Sequence, residues 1–335
     1  MYDDRLDIVY ALDSSFVVPT AVSMASLLAH NVGEYRQIHF HLLCQNVAAP
    51  DYQKFQNLIQ SFDTEKESNI ELHFYKDITL SVFEGLPVSS TWPVAAWLRA
   101  LIPHLLPSEV HSCLYLDGDT LVLGSLHPML SADVADCDVA GVCTGMVDGA
   151  PPEWRDVTGA LRKDAYIGSY MLFFSPARWR AQHYTERILN YATQHVAQLH
   201  YPDMDAINGA LSLKACMPEA LCKTTWVDIE TALRKPESEW PVLVHYNGGA
   251  YTKGYFLLLP RTRRLFHVIK QGTPWNDEPD YRVRGVVGRL KVAAMFLLYF
   301  TPLKWCAPGF FKLYAQIRGW SHSFAVETES TDRQR

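Results

Sequence analysis

Short apolar segments alternate with helical patterns along the N-terminal half of the chain, and this alternation limits the possible folds more than any other feature. Residues 6–12, 38–43 and 70–75 have the length and composition of buried strands. Helical patterns extend through His30 and over about residues 52–62, between these segments. Strands that alternate with helices form a largely parallel sheet with helices on both faces. The sequence therefore predicts an α/β fold of the Rossmann type.

Further elements are predicted later in the chain. A helix is expected over residues 97–102, ended by Pro103 and Pro107, and another over residues 176–197. The apolar residues 138–142 and 166–174 are expected to form strands.

An acidic tripeptide, Asp117-Gly118-Asp119, directly follows the strand predicted at residues 113–116. Sheets of this class bind ligands at the carboxyl ends of their strands. In an extended backbone, side chains two residues apart point to the same side, so both carboxylates can converge on one ion. Carboxylate oxygens suit Mg²⁺ or Mn²⁺, and Gly118 leaves room for a phosphate. Taken alone, the tripeptide fits a solvated turn equally well.

Three other classes of protein agree poorly with the sequence. A phosphatase of the haloacid dehalogenase type has D-x-D-G-T near its start, whereas Thr120 directly follows Asp119 here, past residue 110. A sugar-phosphate nucleotidyltransferase needs a glycine-rich basic loop, which residues 11–20 lack. The net charge of −6 argues against nucleic acid as a partner.

The cysteines and the N-terminal residues favour a cytoplasmic protein. The N-terminus is acidic and lacks the pattern of a secretion signal. The longest apolar run, residues 292–303, is shorter than the roughly 20 residues of a membrane span. The seven cysteines contain no C-x-x-C pair, so we expect reduced, buried thiols and no cysteine-based zinc site.

Residues 281–320 differ from the rest of the chain because they carry seven basic residues and no acidic ones, interleaved with aromatics. Such a segment suits a helix that lies on an anionic membrane surface. The alternative is a helix that packs its aromatic side chains onto the main domain. We expect a domain over residues 1–277, followed at 278–335 by a helical, membrane-associating segment and a polar tail.

Several blocks of the sequence resemble glycosyltransferase family 8, in particular the bacterial lipopolysaccharide glucosyl- and galactosyltransferases. These blocks occur in the family's order at residues 6–31, 97–103, 114–122, 244–248 and 263–277. The resemblance implies a GT-A fold. It also implies transfer of glucose or galactose from a UDP-sugar, with retention of configuration, to a glycan or lipid-linked acceptor. The location implied is the inner face of the bacterial cytoplasmic membrane.

The resemblance also assigns roles to individual residues. Asp117, Asp119 and His245 would bind the Mn²⁺ or Mg²⁺ ion. The residues expected to contact the donor are Ala11, Asp13, Ser15, Arg99, Asp117, Gly118, Asp119, Gly248 and Lys253. Lys253 would neutralise the departing diphosphate, although it lies one or two residues later than in the family pattern. Asp203 and Asp205 are the catalytic candidates, which would orient sugar hydroxyls or stabilise positive charge.

Three substitutions depart from the family pattern close to the expected reaction centre. Gly168 stands where the family has Asn, Tyr170 where it has Gly, and Met204 where it has Gln. We expect Tyr170 to reshape the acceptor or sugar pocket. A thioether has no amide oxygen, so Met204 cannot act as the glutamine would. The opposing hypothesis is a scaffold protein that binds nucleotide-sugars and has lost turnover.

Two further histidines, His39 and His41, are interpreted as structural core residues.

Overall fold

The computed structural model describes residues 4–278 apart from 63–66, 77, 90–92, 131–133, 135, 144–160, 163–165, 218, 225 and 247–258. The N-terminal half contains β1 (Arg5–Asp13), α1 (Val17–Asn31), β2 (Gln37–Gln45), α2 (Ala49–Phe62), β3 (Asn69–Tyr75), α3 (Val94–Trp97), α4 (Ile102–Leu105), β4 (Cys113–Leu116), β5 (Thr120–Val122) and β6 (Val139–Val142). The remainder contains β7 (Leu161–Arg162), β8 (Met171–Phe174), α5 (Pro176–Ala181), α6 (Tyr184–Gln194), α7 (Pro202–Ala210), β9 (Lys214–Met217), β10 (Cys222–Lys223), α8 (Trp226–Ala232), β11 (Leu243–His245) and α9 (Pro260–Gln271).

Most of these strands form one twisted sheet in the order β3-β2-β1-β4-β8-β6-β9-β7. Strands β3, β2, β1 and β4 are parallel, while β8 pairs antiparallel with both β4 and β6. Asp13 ends β1 opposite Gln45, and β4 lies on the other side of β1. The residues that follow β1 and β4 therefore emerge at the same edge of the sheet. This is the α/β fold with a largely parallel sheet that the sequence predicts.

A second, three-stranded sheet in the order β10-β11-β5 lies beside the residues that follow β4. Strand β11 pairs antiparallel with β5, which places His245 opposite Thr120. Polar side chains of α1 connect the two sheets. The hydroxyl of Ser23 lies 2.9 Å from that of Tyr10 and 3.1 Å from that of Thr120, and Ser26 accepts a hydrogen bond from Val122. These buried bonds fix β5 in position relative to β1.

The strands and helices before residue 75 are confirmed to within a few residues, but several later predictions are wrong. A helix was expected over residues 97–102, ended by Pro103. Instead a 3₁₀ helix over Leu98–Leu101 leads into α4, where Pro103 occupies the first turn and needs no hydrogen-bond donor. The helix expected over 176–197 is broken, because His183 takes a left-handed conformation with φ of 55°. Of the strand expected at 166–174, only Met171–Phe174 pairs continuously.

The expectation of reduced cysteines is confirmed for four residues and wrong for two. Cys44, Cys113, Cys137 and Cys222 are buried and form no disulfide within the described part of the chain. Cys143 and Cys216 instead form a disulfide with their Cα atoms 5.4 Å apart. The pairing follows from topology, because β6 and β9 are neighbours and Val142 lies opposite Met217. The spacing of the cysteines in the sequence does not show that these two strands are adjacent.

Within the described part of the chain, no helix is long and apolar enough to cross a membrane. The basic, aromatic segment at 281–320 lies outside the described residues, as does nearly all of the expected segment at 278–335. The proposed division of the chain at residue 277 therefore stays a prediction.

Candidate functional site

The acidic tripeptide forms a tight turn between β4 and β5. The backbone N–H of Thr120 donates to the carbonyl of Asp117 at 3.1 Å, and the hydroxyl of Thr120 donates to the same oxygen at 2.8 Å. The extended geometry expected for this segment is therefore wrong, because a turn separates the two short strands. The turn nevertheless keeps both carboxylates close to a common point, where β11 supplies the third side chain.

His245 completes a cluster with the two aspartates. Its Nε2 lies 3.2 Å from Oδ1 of Asp119 and 3.8 Å from Oδ2 of Asp117. The backbone N–H of Tyr246 donates to the carbonyl of Asp119, which ties the end of β11 to the turn. One ligand atom from each of the three residues lies within 4.8 Å of the other two. The predicted metal ligands are thus brought together from positions more than a hundred residues apart.

The chemistry of this cluster fits a divalent cation. Two carboxylates and one imidazole are suitable ligands for Mn²⁺ or Mg²⁺. Oδ2 of Asp119 is buried and has no hydrogen-bond partner among the described residues. A buried carboxylate oxygen without a partner is costly, and a bound cation would remove that cost.

The charge of His245 depends on its surroundings. Burial by itself would lower the pKa of the imidazole, but the carboxylates of Asp119 and Asp117 outweigh burial and raise the pKa above its ordinary value. In the absence of a cation, the imidazolium thus balances part of the negative charge of the cluster. A metal ion would take over that role and displace the proton.

Arg99 connects the metal cluster to a second pair of acidic residues. Its guanidinium lies 3.1 Å from Oδ1 of Asp117 through Nη2 and 3.2 Å from Oδ2 of Asp203 through Nη1. Nη1 also donates to the carbonyl of Ser169, and Nε donates to the carbonyl of Ala96. Burial opposes the charge of Arg99, but Asp117 and Asp203 hold its pKa above the ordinary value. Arg99 therefore fixes the relative position of the two carboxylates, and its contact with a donor stays a prediction.

The two catalytic candidates have different surroundings. Asp203 is buried, forms an ion pair with Arg99 at 3.2 Å and accepts a hydrogen bond from the hydroxyl of Ser169 at 3.1 Å. Burial raises its pKa, which Arg99 partly offsets. Asp205 accepts hydrogen bonds from the hydroxyl of Tyr166 and from two backbone N–H groups that precede α7, those of His200 and Tyr201. Asp205 thus connects α7 to Tyr166 and to the residues that precede the helix, while Asp203 contacts Arg99. The catalytic roles of both residues stay predictions.

The residues expected on the uracil and ribose side of the donor lie at the carboxyl end of β1. Ala11 and Asp13 are partly buried, and Ser15 is exposed. Asp13 accepts hydrogen bonds from the backbone and hydroxyl of Ser15 at 2.8 and 2.6 Å. Their position is the one expected for ligand binding in a parallel sheet. The nucleotide contacts themselves stay predictions.

Gly118 meets a packing requirement that the sequence does not show. A Cβ atom at this position would lie 3.3 Å from the ring of Phe16 and 3.4 Å from Cβ of Thr20, with Oγ1 of Thr20 closer still. The close approach of α1 therefore excludes a side chain here. Contact between Gly118 and a phosphate stays a prediction.

Two residues near the cluster of Asp117, Asp119 and His245 were missed at the level of sequence. The hydroxyl of Tyr115 donates to Oδ1 of Asp117 at 2.7 Å, and Ser169 contacts both Arg99 and Asp203. Tyr170, which the sequence singles out, stacks on His245. Side chains two residues apart on a strand point to the same side, so the sequence could have indicated that Tyr115 lies beside Asp117. The sequence provides no comparable signal for Ser169. Gly248 and Lys253 lie outside the described residues.

Comparison with known proteins gives a consistent family assignment. The model of the family described as glycosyl transferase family 8 matches residues 7–252. The lipopolysaccharide glucosyltransferase WaaO of Escherichia coli strain K12 is 23% identical over 278 residues, which cover 81% of this chain and 79% of WaaO. The lipopolysaccharide 1,3-galactosyltransferase of Salmonella typhimurium is 22% identical over 290 residues, which cover 82% of this chain and 80% of that protein.

The fold is also similar to that of a solved structure, galactosyltransferase LgtC in complex with donor and acceptor sugar analogues. The TM-score is 0.63 at 18% identity, and the match covers 82% of this chain and all of the LgtC chain. At this level of identity the likeness concerns the fold.

Proposed function

The chain belongs to glycosyl transferase family 8, and from this premise we propose that it transfers glucose or galactose from a UDP-sugar to a glycan with the help of Mn²⁺ or Mg²⁺. The observation that supports the proposal is the cluster of Asp117, Asp119 and His245 at the carboxyl end of β4. Its ligand set suits a cation that binds a diphosphate. The retaining outcome is part of the proposal and rests on the family resemblance.

The bound ion would stabilise the negative charge that develops on the departing UDP. Residues of the chain hold the surrounding geometry. Arg99 bridges Asp117 and Asp203, so the group that binds the cation and the group that faces the sugar keep a fixed relative position. Lys253 is proposed to add positive charge at the diphosphate. Such preorganised charges lower the barrier because they need no reorganisation during the reaction.

Met204 excludes an amide nucleophile at its position. We therefore favour attack by the acceptor on the same face that the UDP leaves. In this step a bond forms from the acceptor oxygen to the anomeric carbon, the bond from that carbon to the phosphate oxygen breaks, and the acceptor proton moves to the phosphate. Asp203 is proposed to stabilise positive charge on the sugar. Mass spectrometry that detects a sugar covalently bound to the protein during turnover would exclude this mechanism.

The acceptor is proposed to be lipopolysaccharide core or another lipid-linked oligosaccharide. The two relatives described above are named for lipopolysaccharide, and the basic, aromatic residues at 281–320 suit an anionic membrane surface. We accordingly propose a cytoplasmic enzyme at the inner face of the membrane.

A donor screen tests the proposed function. The purified protein is incubated with UDP-glucose, UDP-galactose and other UDP-sugars, with Mn²⁺ or with chelator, and UDP release is measured. We expect release from UDP-glucose or UDP-galactose that requires the metal ion. The variant Asp119→Asn should lose this metal-dependent release. The control Asp4→Asn changes an exposed aspartate that is paired with Arg36, and it should retain the release. Binding of UDP-sugars without release, under every donor and with acceptor added, would favour the scaffold hypothesis.

A further inference from the structure

A second group of metal-ligating side chains lies at the edge of the large sheet, on strands β2 and β3. We call His39, Glu71 and His73 the edge triad. Nδ1 of His39 lies 3.3 Å from Nε2 of His73. Oε2 of Glu71 lies 3.5 Å from Nδ1 of His39 and 3.6 Å from Nε2 of His73. One atom from each residue thus occupies a corner of a nearly equilateral triangle.

The size of this triangle corresponds to tetrahedral zinc. Ligands about 2.0–2.1 Å from a tetrahedral Zn²⁺ lie about 3.3–3.4 Å from one another. The three separations of the edge triad all lie within about 0.3 Å of those values. Two imidazoles and a carboxylate are also a common zinc ligand set.

The arrangement of neighbouring residues leaves the edge triad available. His41 lies on the same face, but its Nε2 bonds to Asp7 at 2.9 Å and its Nδ1 to the hydroxyl of Tyr75 at 3.0 Å. His41 is therefore the structural residue that the sequence indicates. His39 differs, because its Nδ1 faces the other two members of the edge triad and its Nε2 has no partner among the described residues.

Charge and solvent access also favour a cation. Arg5 donates to both carboxylate oxygens of Asp7 at 2.7 Å, so these two charges compensate each other. The carboxylate of Glu71 is then left as the local negative charge. The side chain of His39 is buried, whereas those of Glu71 and His73 are 45% and 38% exposed. Water can therefore reach the open fourth position of a tetrahedron built on the edge triad.

The edge triad is distant from the catalytic cluster. His39 precedes Gln45 by six residues along β2, a length of about 20 Å in a strand. Gln45 lies opposite Asp13, at the edge of the sheet where the proposed donor site is found. We propose that the edge triad binds Zn²⁺ with water as the fourth ligand and so ties the edge strand β3 to β2. This inference does not depend on the proposed sugar transfer.

Zinc titration of the full-length protein tests the inference. His245→Ala is introduced first, so that the catalytic cluster does not contribute, and Zn²⁺ binding is measured by calorimetry. We expect one bound Zn²⁺ per chain and a rise of a few degrees in the midpoint of thermal unfolding. His73→Gln and Glu71→Gln, both at half-exposed positions, should weaken binding at least about tenfold. His104→Gln is the matched control, because this half-exposed histidine also lies near a glutamate, Glu186, and it should leave binding unchanged.

Two results would overturn the inference. One is the absence of Zn²⁺ binding in the His245→Ala protein, and the other is equal binding in His73→Gln, Glu71→Gln and their parent. If His245→Ala does not fold, His73→Gln is compared with the unsubstituted protein, from which it should lose one equivalent of Zn²⁺. Substitution of Co²⁺ gives a second readout, because tetrahedral Co²⁺ absorbs visible light much more strongly than six-coordinate Co²⁺. His73→Gln should abolish that absorption.

Discussion

The phenol ring of Tyr170 lies nearly parallel to the imidazole of His245, with ring centroids 4.5 Å apart and planes inclined by 17°. Tyr170 was expected to reshape a sugar or acceptor pocket. That effect stays a prediction, and the structure shows the ring against a proposed metal ligand, while the backbone carbonyl of Tyr170 accepts a hydrogen bond from Asp117. Tyr170 thus contacts two of the three proposed ligands and helps to fix their positions.

Removal of the Tyr170 ring should weaken metal binding. Aromatic pairs contribute about 0.5–1.5 kcal/mol beyond the area they bury, which corresponds to about two- to tenfold in affinity. We expect Tyr170→Ala to raise the Kd for Mn²⁺ by about that factor, as measured by calorimetry. Tyr170→Phe keeps the stacked ring and should bind Mn²⁺ as the unsubstituted protein does. Equal affinity in all three proteins would show that the stacking does not support the ligand.

Gly168 and Tyr170 should be energetically coupled. A Cβ atom at Gly168 would lie 2.7 Å from Cδ1 of Tyr170 and closer still to Cε1. Gly168→Asn alone should therefore destabilise the fold by about 1–3 kcal/mol through overpacking. Adding Tyr170→Gly, which restores the family pattern at both positions, should recover stability beyond the sum of the single effects. Denaturant unfolding of the four proteins measures this coupling, and additive effects would contradict it.

The affinity for Mn²⁺ should rise with pH because the metal ion must displace the proton of His245. The carboxylates of Asp119 and Asp117 raise the pKa of His245 against the effect of burial. In the metal-free protein, protonated His245 stabilises the fold at a pH below the pKa that the imidazole has in the unfolded chain. This stabilisation is lost as the pH rises through the higher pKa of His245 in the folded protein. The stabilisation by Mn²⁺ should consequently grow as the pH rises through the raised pKa of His245 in the folded protein. Thermal unfolding with Mn²⁺ and without nucleotide measures this stabilisation. In His245→Gln, the stabilisation by Mn²⁺ should depend far less on pH.

The C-terminal segment should direct the protein to membranes. Residues 281–320 carry a charge of +7 in a chain of net charge −6. Deletion of residues 281–335 should reduce co-sedimentation with vesicles of anionic lipid and leave UDP binding largely intact. Neutral vesicles and raised salt provide the controls, because electrostatic attraction weakens under both conditions. Unchanged sedimentation of the truncated protein would refute the assigned role.

The parts of this structure that the sequence predicts depend on local patterns. Strands β1, β2 and β4 are recognisable because each is a run of buried apolar residues. The break at His183 was missed, because no glycine or proline marks it in the sequence.

The cluster itself was predicted through family motifs, since nothing local connects Asp117 to His245. Contacts between elements that are far apart in the sequence could not be predicted. The ion pairs of Arg99 with Asp117 and Asp203 are one example, because they join residues that are far apart in the sequence. Likewise, the pairing of His39 with Glu71 and His73 depends on the register of β2 and β3. Periodicity identifies the strands but does not determine which residues lie opposite one another.

Calorimetric titration of UDP in the presence and absence of Mn²⁺ tests the central claim most directly, namely that Asp117, Asp119 and His245 hold a cation against a nucleotide diphosphate. The account predicts that UDP binds at least about tenfold more tightly with Mn²⁺ than with chelator. In Asp119→Asn this difference should disappear, while Asp4→Asn should retain it. Equal affinity for UDP with and without Mn²⁺, or an unchanged metal effect in Asp119→Asn, would contradict the account.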